Sequence, residues 1–243
     1  MDIGWFEAII DVDAEQFDAS ATFWGQVTES TFGKIHPDHD EFMHLLPTSG
    51  DTYLEMQRIG SGPPAAHLDL LVPDIGAAIE EAVAAGAELI ERPGHGVLQT
   101  PGGVRFCIVP FSTQSERAPL LGRGTHAVDQ ICLDVGHEDF ESDVLFWSTI
   151  TGWEPNPPIL DEFRSFSQTP GMPLRLLIQR LGHDDAGPPR AHLDIAAGSH
   201  VDDVVRSHIE AGAVVTEAKE RWTALEDPSG MPYCVTARQP HSF

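Results

Sequence analysis

The run FEAIIDV (residues 6–12) predicts a strand, and behind it Phe17, Ala21, Trp24 and Val27 recur at helical spacing, with Asp13 placed to cap the helix. Short β-type runs follow at 42–46 and 53–59. In AHLDLLV (66–72) two faces separate by the period of two of a strand: Leu68, Leu70 and Val72 on one, His67, Asp69 and Leu71 on the other. Asp74 then opens DIGAAIEEAVAAGA, an amphipathic helix with Ile75, Ile79, Ala82 and Val83 inward, which Gly86 ends. Strand runs at 88–92, 96–100 and 104–110 close a pattern of strand, helix and three strands that occurs twice.

The same order then recurs along the rest of the chain. Phe23-Trp24 returns as Phe146-Trp147, 123 residues on, and Gln57-Arg58 as Gln179-Arg180, 122 on. PPAAHLDLLV (63–72) returns as PPRAHLDIAA (188–197), 125 on, and RFCIV returns as PYCVT, 127 on. A fixed order with an offset drifting by a few residues is what duplication followed by small loop changes leaves. The expected organisation is a first domain at 1–112, a linker at 113–125 within FSTQSERAPLLGRGT, and a second domain at 126–243.

Composition narrows the partners. The 243 residues carry 14 Lys and Arg against 38 Asp and Glu, a formal net charge of −24. Such a surface repels phosphate backbones and anionic membranes, so neither nucleic acid nor membrane is an expected partner. No apolar run reaches the roughly 18 residues of a membrane span, and the N-terminus lacks the basic start of a signal peptide. Cys107, Cys132 and Cys234 form no C-x-x-C pair, which suits a reduced, cytoplasmic protein. Only Lys34 and Lys219 are lysine, an arginine bias suggesting a bacterial source.

Paired βαβββ modules, a histidine opening the fifth strand, helices ending in Gly-Ala and the segment DPSGMPYCV (227–235) together resemble the vicinal oxygen chelate superfamily. Glyoxalase I, bleomycin-binding proteins, fosfomycin-resistance enzymes and extradiol dioxygenases share that fold. In particular, the chain resembles the glyoxalase-like domain of bacterial proteins with a cysteine on the last strand. The resemblance implies an α+β fold of two tandem domains, each of paired βαβββ modules forming a curved, cup-shaped mixed sheet with helices outside. Such domains complete their cups within one chain or across a dimer, so monomer and homodimer both stay open.

Metal-using members draw one ligand from each of four strands: His or Gln, Glu, His and Glu. Carried onto this chain, these positions fall on Glu7, Glu55, His67 and Cys107 in the first half. In the second they fall on Gln130, Leu177, His192 and Cys234. The second half has lost both carboxylates, and one imidazole with one amide holds a hard divalent ion poorly. Neither half supplies the two histidines and one glutamate of an extradiol dioxygenase. Glu7, Glu55, His67 and Cys107 are all zinc-binding types, yet Cys234 shows that cysteine at this position does not require a metal. No cofactor is therefore expected, with a divalent metal in the first half as the alternative.

Other candidates read more simply. HPDHDEFMH (36–44) is expected to be a solvated loop rather than a surface metal site. PGHG (93–96) and TPGGV (100–104) read as β-turns, since no helix follows to make a phosphate cradle. A Cys107–His67 nucleophile pair is disfavoured, because Glu7 and Glu55 nearby would raise the thiol pKa. Trp222, opening a strand before DPSG, is a candidate cup-lining residue for a planar ligand.

The expected function is binding of a small organic molecule by one or both domains, through sequestration or metal-independent acid–base chemistry. Glu7, Glu55 and His67 are the candidate catalytic groups; Cys107, Gln130, His192, Trp222 and Cys234 are the candidate ligand-binding residues. The alternative is a metal-dependent glyoxalase-type lyase or isomerase using the first-half site.

Overall fold

A computed structural model describes residues 1–34, 40–91, 94–185 and 187–240. The first half contains β1 (Trp5–Asp13), α1 (Phe17–Val27), β2 (Thr31–Phe32), β3 (Phe42–Leu46), β4 (Leu54–Ile59) and β5 (Ala65–Val72). It continues with α2 (Ile75–Ala84), β6 (Glu88–Glu91), β7 (Gly96–Gln99) and β8 (Arg105–Pro110). The second half contains β9 (Ala127–Val135), α3 (Phe140–Thr151), β10 (Phe163–Ser165), β11 (Arg175–Arg180) and β12 (Arg190–Ala196). It ends with α4 (Val201–Glu210), β13 (Val214–Ala218), β14 (Trp222–Glu226) and β15 (Pro232–Thr236). This is a mixed α+β fold, and none of its described helices is long and apolar enough to cross a membrane.

The expected elements are present, with local differences. Asp74 caps α2 by accepting from the Ala77 N–H at 3.0 Å, and Gly86 takes a φ of +112° just beyond its end. Asp13 does not cap α1. Its carboxylate accepts from the N–H groups of Glu15 and Gln16, at 2.9 and 3.0 Å, and fixes the turn ahead of the helix. Along α2 the buried stripe is Ala78, Ile79 and Ala82, whereas Val83 is 45% exposed rather than inward. A step of 100° past Ala82 carries Val83 off the stripe. After α3 the described residues show two strands and an isolated Pro155–Phe166 bridge in place of three strands. Of HPDHDEFMH, residues 36–39 lie outside the described residues, as do Arg92 and Pro93; Phe42–Leu46 is strand β3.

Contacts divide the chain into two compact units, and each draws on both halves of the sequence. The first comprises Met1–Glu7, His67–Gln114 and Ile131–Ala191; the second comprises Ala8–Ala66, Ser115–Gln130 and His192–Phe243. In the first, β5 runs parallel to β8, and β7 joins β8 to β6 by antiparallel pairs. In the second, β1 from Ala8 onward is parallel to β4, which pairs with β3, and β12 is parallel to β15, which pairs with β14.

One buried contact ties helix to turn in each unit. In the second unit Asp227, 3% exposed, sits in the β14–β15 turn. It accepts from Ser20 Oγ and Trp24 Nε1 of α1, at 2.5 and 2.9 Å. It also accepts from Ser229 N–H, Ser229 Oγ–H and Met231 N–H of its own turn, at 2.7, 2.6 and 3.0 Å. In the first unit the acid is on the helix. Asp143 of α3 accepts from Thr100 Oγ1 and the Gly102 N–H, at 2.8 and 2.6 Å, and Thr100 Oγ1 accepts from the Val104 N–H at 3.1 Å. TPGGV is thus a turn whose free amide serves a protein carboxylate. Ser20 and Asp143 hold equivalent places, as do Asp227 and Thr100. At these equivalent positions each unit therefore has one hydroxyl and one carboxylate, placed in opposite order.

Around these ties the repeated Phe-Trp pairs form the core. Trp24 meets Tyr233 with ring centroids 5.3 Å apart, and Trp147 meets Phe106 at the same separation. The reversal has one cost: Trp24 Nε1 donates to Asp227, whereas Trp147 Nε1 has no acceptor among the described residues.

Two predictions follow from this core. Thr100→Asp alone sets two carboxylates against each other and is expected to destabilise the protein by about 3 kcal/mol in denaturant melts. Adding Asp143→Ser recreates the second unit's arrangement and should recover most of the loss; no recovery would mean the tie is not transferable. The second concerns pH. Burial, with His126 nearby, lowers the His208 pKa to about 4, while its Nδ1 lies 3.0 Å from the Tyr233 hydroxyl. The unfolded chain binds that proton more readily, so stability is full above about pH 6.5 and falls as pH drops toward 4, by roughly 3 kcal/mol. Asp143 has the opposite sign, since burial raises it to about 6. Its contribution is full below its ordinary value near 4 and is lost as pH rises through 6. His208→Gln should flatten the acid limb of a Tm–pH profile, and an unchanged limb would refute the assignment.

Candidate functional site

Strand alternation builds the candidate site. Along β5 the residues Leu68 and Leu70 are buried, while Ala65, His67 and Asp69 are only half-buried. β8 lies parallel to it with Cys107 opposite Asp69, and Cys107 likewise points to the half-open side between buried Phe106 and Ile108. Three chemically different donors thus gather on one face. His67 Nε2 lies 3.3 Å from Asp69 Oδ1, and the ligand atoms of His67, Asp69 and Cys107 all lie within 4.8 Å of one another.

The electrostatics hold the thiol protonated. Burial is the main cause that raises the Cys107 pKa, and the Asp69 carboxylate adds to it. A hydrogen bond with His67 works in the opposite direction. The expected upward shift is present, but burial and Asp69 produce it rather than Glu7 and Glu55. A thiol so held is a poor nucleophile at neutral pH.

The second unit repeats this geometry and closes it. β12 and β15 are parallel, with Cys234 opposite Asp194. His192 Nε2 is 3.4 Å from Asp194 Oδ1, and the Gln130 amide donates to Asp194 Oδ2. Gln130, His192 and Asp194 are at most 9% exposed, and one oxygen of this buried carboxylate is already engaged by a protein donor. Gln130 and His192, expected to line a ligand site, here flank Asp194.

The remaining candidates are placed as follows. Glu55 of β4 stands opposite His44 of β3, whose Nδ1 lies 3.1 Å from Glu55 Oε1, and burial lowers the His44 pKa. Glu55 is 8% exposed and belongs to the second unit. Glu7, also 8% exposed, is the last first-unit residue on β1. Trp222 is half-buried at the start of β14, with Lys219 Nζ 5.7 Å from its ring centroid. Asp69, Asp194 and His44 are absent from the sequence-based candidate set. The repeated AHLD, in which His and Asp two apart on a strand must share a face, carried the signal for the first two. His44 lay where the loop reading of 36–44 overlapped the strand run at 42–46.

As a donor set, an imidazole nitrogen, a carboxylate oxygen and a thiol sulfur fit Zn²⁺, with further positions left for a ligand. Without metal, the same set offers an imidazole oriented by a carboxylate, which can take or give a proton.

The fold recurs in solved structures of low sequence identity. The Mn(II)-bound glyoxalase from Novosphingobium aromaticivorans aligns over 98% of this chain and 84% of its own, with a TM-score of 0.62 at 14% identity. The 2,2',3-trihydroxybiphenyl 1,2-dioxygenase from Sphingomonas wittichii aligns over 97% and 90%, with a TM-score of 0.64 at 9% identity. A variant of homoprotocatechuate 2,3-dioxygenase from Brevibacterium fuscum aligns over 98% and 72%, with a TM-score of 0.65 at 11% identity. At these identities the likeness is one of fold. None of the curated proteins matches the sequence. The family model of the glyoxalase-like domain matches residues 9–109 and again 130–236, so the chain belongs to the glyoxalase-like family, within the vicinal oxygen chelate fold.

Proposed function

We propose that this chain binds a small organic molecule beside His67, Asp69 and Cys107, and that the His67–Asp69 pair is its acid–base centre. The observation that carries this reading is the convergence of the three side chains on the half-open face of β5 and β8. Asp69 Oδ1 stands 3.3 Å from His67 Nε2, and an imidazole beside a carboxylate is suited to hold or release a proton at a ligand carbonyl or hydroxyl. Cys107 keeps its proton and acts as a soft, weakly polar wall rather than a nucleophile. Glu7 and Glu55 are the further candidate proton carriers, and Trp222, Gln130, His192 and Cys234 the further candidate ligand contacts. The two family-matched segments are read as duplicated domains at 1–112 and 126–243, in a cytoplasmic bacterial protein acting as monomer or homodimer.

A second reading is favoured by the same donors. Mn(II) is bound in the Novosphingobium glyoxalase, and His67, Asp69 and Cys107 would suit Zn²⁺ here, the sulfur arguing against Mn²⁺. Such an ion, when bound, would polarise a carbonyl or enediolate oxygen of the ligand, as in a glyoxalase-type lyase or isomerase. Cys107 would have to give up its proton on binding it, so occupancy would rise with pH.

Elemental analysis of protein purified without chelator, beside Asp69→Asn and Cys107→Ser, separates the two readings. Wild type whose metal content neither substitution lowers and that still takes up ligand, with uptake lost in His67→Ala, is the outcome expected of the first. One equivalent of metal lost in either variant would replace it with the second. Thiol chemistry offers an independent check. Alkylation of Cys107 is expected to be slow at pH 7 and to accelerate only well above the ordinary cysteine pKa. His67→Ala should shift that profile further upward. Rapid modification at pH 7 would contradict a protonated thiol.

A further inference from the structure

Two histidines on the first unit meet where chemistry has not yet been assigned. β9 ends at Val135, whose carbonyl accepts from the Leu181 N–H at 2.9 Å just beyond β11. From this paired point the two strands run into tight turns. Asp139 N–H closes the first onto the Gly136 carbonyl at 3.1 Å, and Asp185 N–H closes the second onto the Gly182 carbonyl at 3.0 Å. His137 and His183 each follow the glycine of their turn, so the two turns present them alike. The imidazole rings lie with centroids 3.6 Å apart and planes 30° from parallel. Glu138 joins them: the ligand atoms of His137, Glu138 and His183 all lie within 4.8 Å of one another.

We propose that His137, Glu138 and His183 form a surface binding site for a transition-metal ion, with Zn²⁺ the natural occupant. Two imidazoles and one carboxylate suit Zn²⁺, Ni²⁺ or Cu²⁺ and disfavour Mg²⁺ and Ca²⁺, which take oxygen ligands. Tetrahedral Zn²⁺ with bonds of about 2.0–2.1 Å sets its ligand atoms roughly 3.4 Å apart. Closing from 4.8 Å or less requires side-chain rotation only, which is open to exposed Glu138 and His183 and to half-buried His137. The backbone bond between Val135 and Leu181 already fixes the two turns side by side. With three protein ligands, a bound ion would have a coordination position left for water or a small anion. Bound there, the ion fastens the turn before α3 to the loop after β11.

The test is Zn²⁺ titration of the full chain by calorimetry, comparing wild type with His137→Ala, His183→Ala and the Asp69→Asn/Cys107→Ser double variant. One equivalent should disappear in each histidine variant and persist in the double variant. Zn²⁺ should also raise the Tm of wild type but not of His183→Ala. With Cu²⁺ as probe, electron paramagnetic resonance should report two equatorial nitrogens in wild type and one in either histidine variant. Unchanged stoichiometry and nitrogen count in both histidine variants would place the ion on other histidines and overturn the proposal. So would loss of that equivalent in the double variant alone.

Discussion

The buried carboxylate between helix and turn is the constraint on which each unit depends. Asp227 gathers five donors in a site that is 3% exposed, and Asp143 gathers two. A buried acid left without such donors would cost several kcal/mol, so the helix and the turn must arrive together. The partners are also chosen by chemistry. α1 brings a hydroxyl and finds the acid of the β14–β15 turn; α3 brings an acid and finds the hydroxyl of the β7–β8 turn. Exchanging the partners would set hydroxyl on hydroxyl and acid on acid. The opposite placement therefore specifies which helix goes with which turn, and so assembles each unit from both halves of the sequence.

That tie also positions the site. With α3 anchored over the β7–β8 turn, Phe106 is held against Phe146 and Trp147, at 5.7 and 5.3 Å. β8 must then show its other face, with Cys107, to the half-open side. Parallel pairing with β5 sets Asp69 opposite Cys107, and the period of two adds His67. The core contact and the donor cluster are thus two sides of the same strands.

Much of this was legible in the sequence. The strands, the helices, the Asp74 cap and the repeated AHLD follow from periodicity and local chemistry, which neighbouring residues settle among themselves. The helix–turn ties did not, because Ser20 and Asp227 are 207 residues apart and neither is unusual for its local setting. The opposite placement in the first unit hid them further, since it removes the identity that a repeat would show. Asp69 and Asp194 escaped for another reason. The family pattern directs attention to one ligand per strand, whereas here two residues of one strand stand side by side. His44 was lost in an acidic, histidine-rich stretch, where the position opposite Glu55 appears only once β3 and β4 are in register.

The two copies of the His–Asp–Cys arrangement are alike in register and differ in how far the His–Asp pair is buried. In the second copy the Gln130 amide donates to Asp194 Oδ2, His192 Nε2 stands 3.4 Å from Oδ1, and Gln130, His192 and Asp194 are buried while Cys234 stays half-buried. Displacing Gln130 from Asp194 would leave a buried amide to be rehoused. In the first copy the equivalent of Gln130 is Glu7, a carboxylate that cannot donate to Asp69 as the amide does to Asp194. His67, Asp69 and Cys107 stay half-buried. One copy buries its His–Asp pair with a glutamine amide on the acid, and the other leaves its pair half-buried.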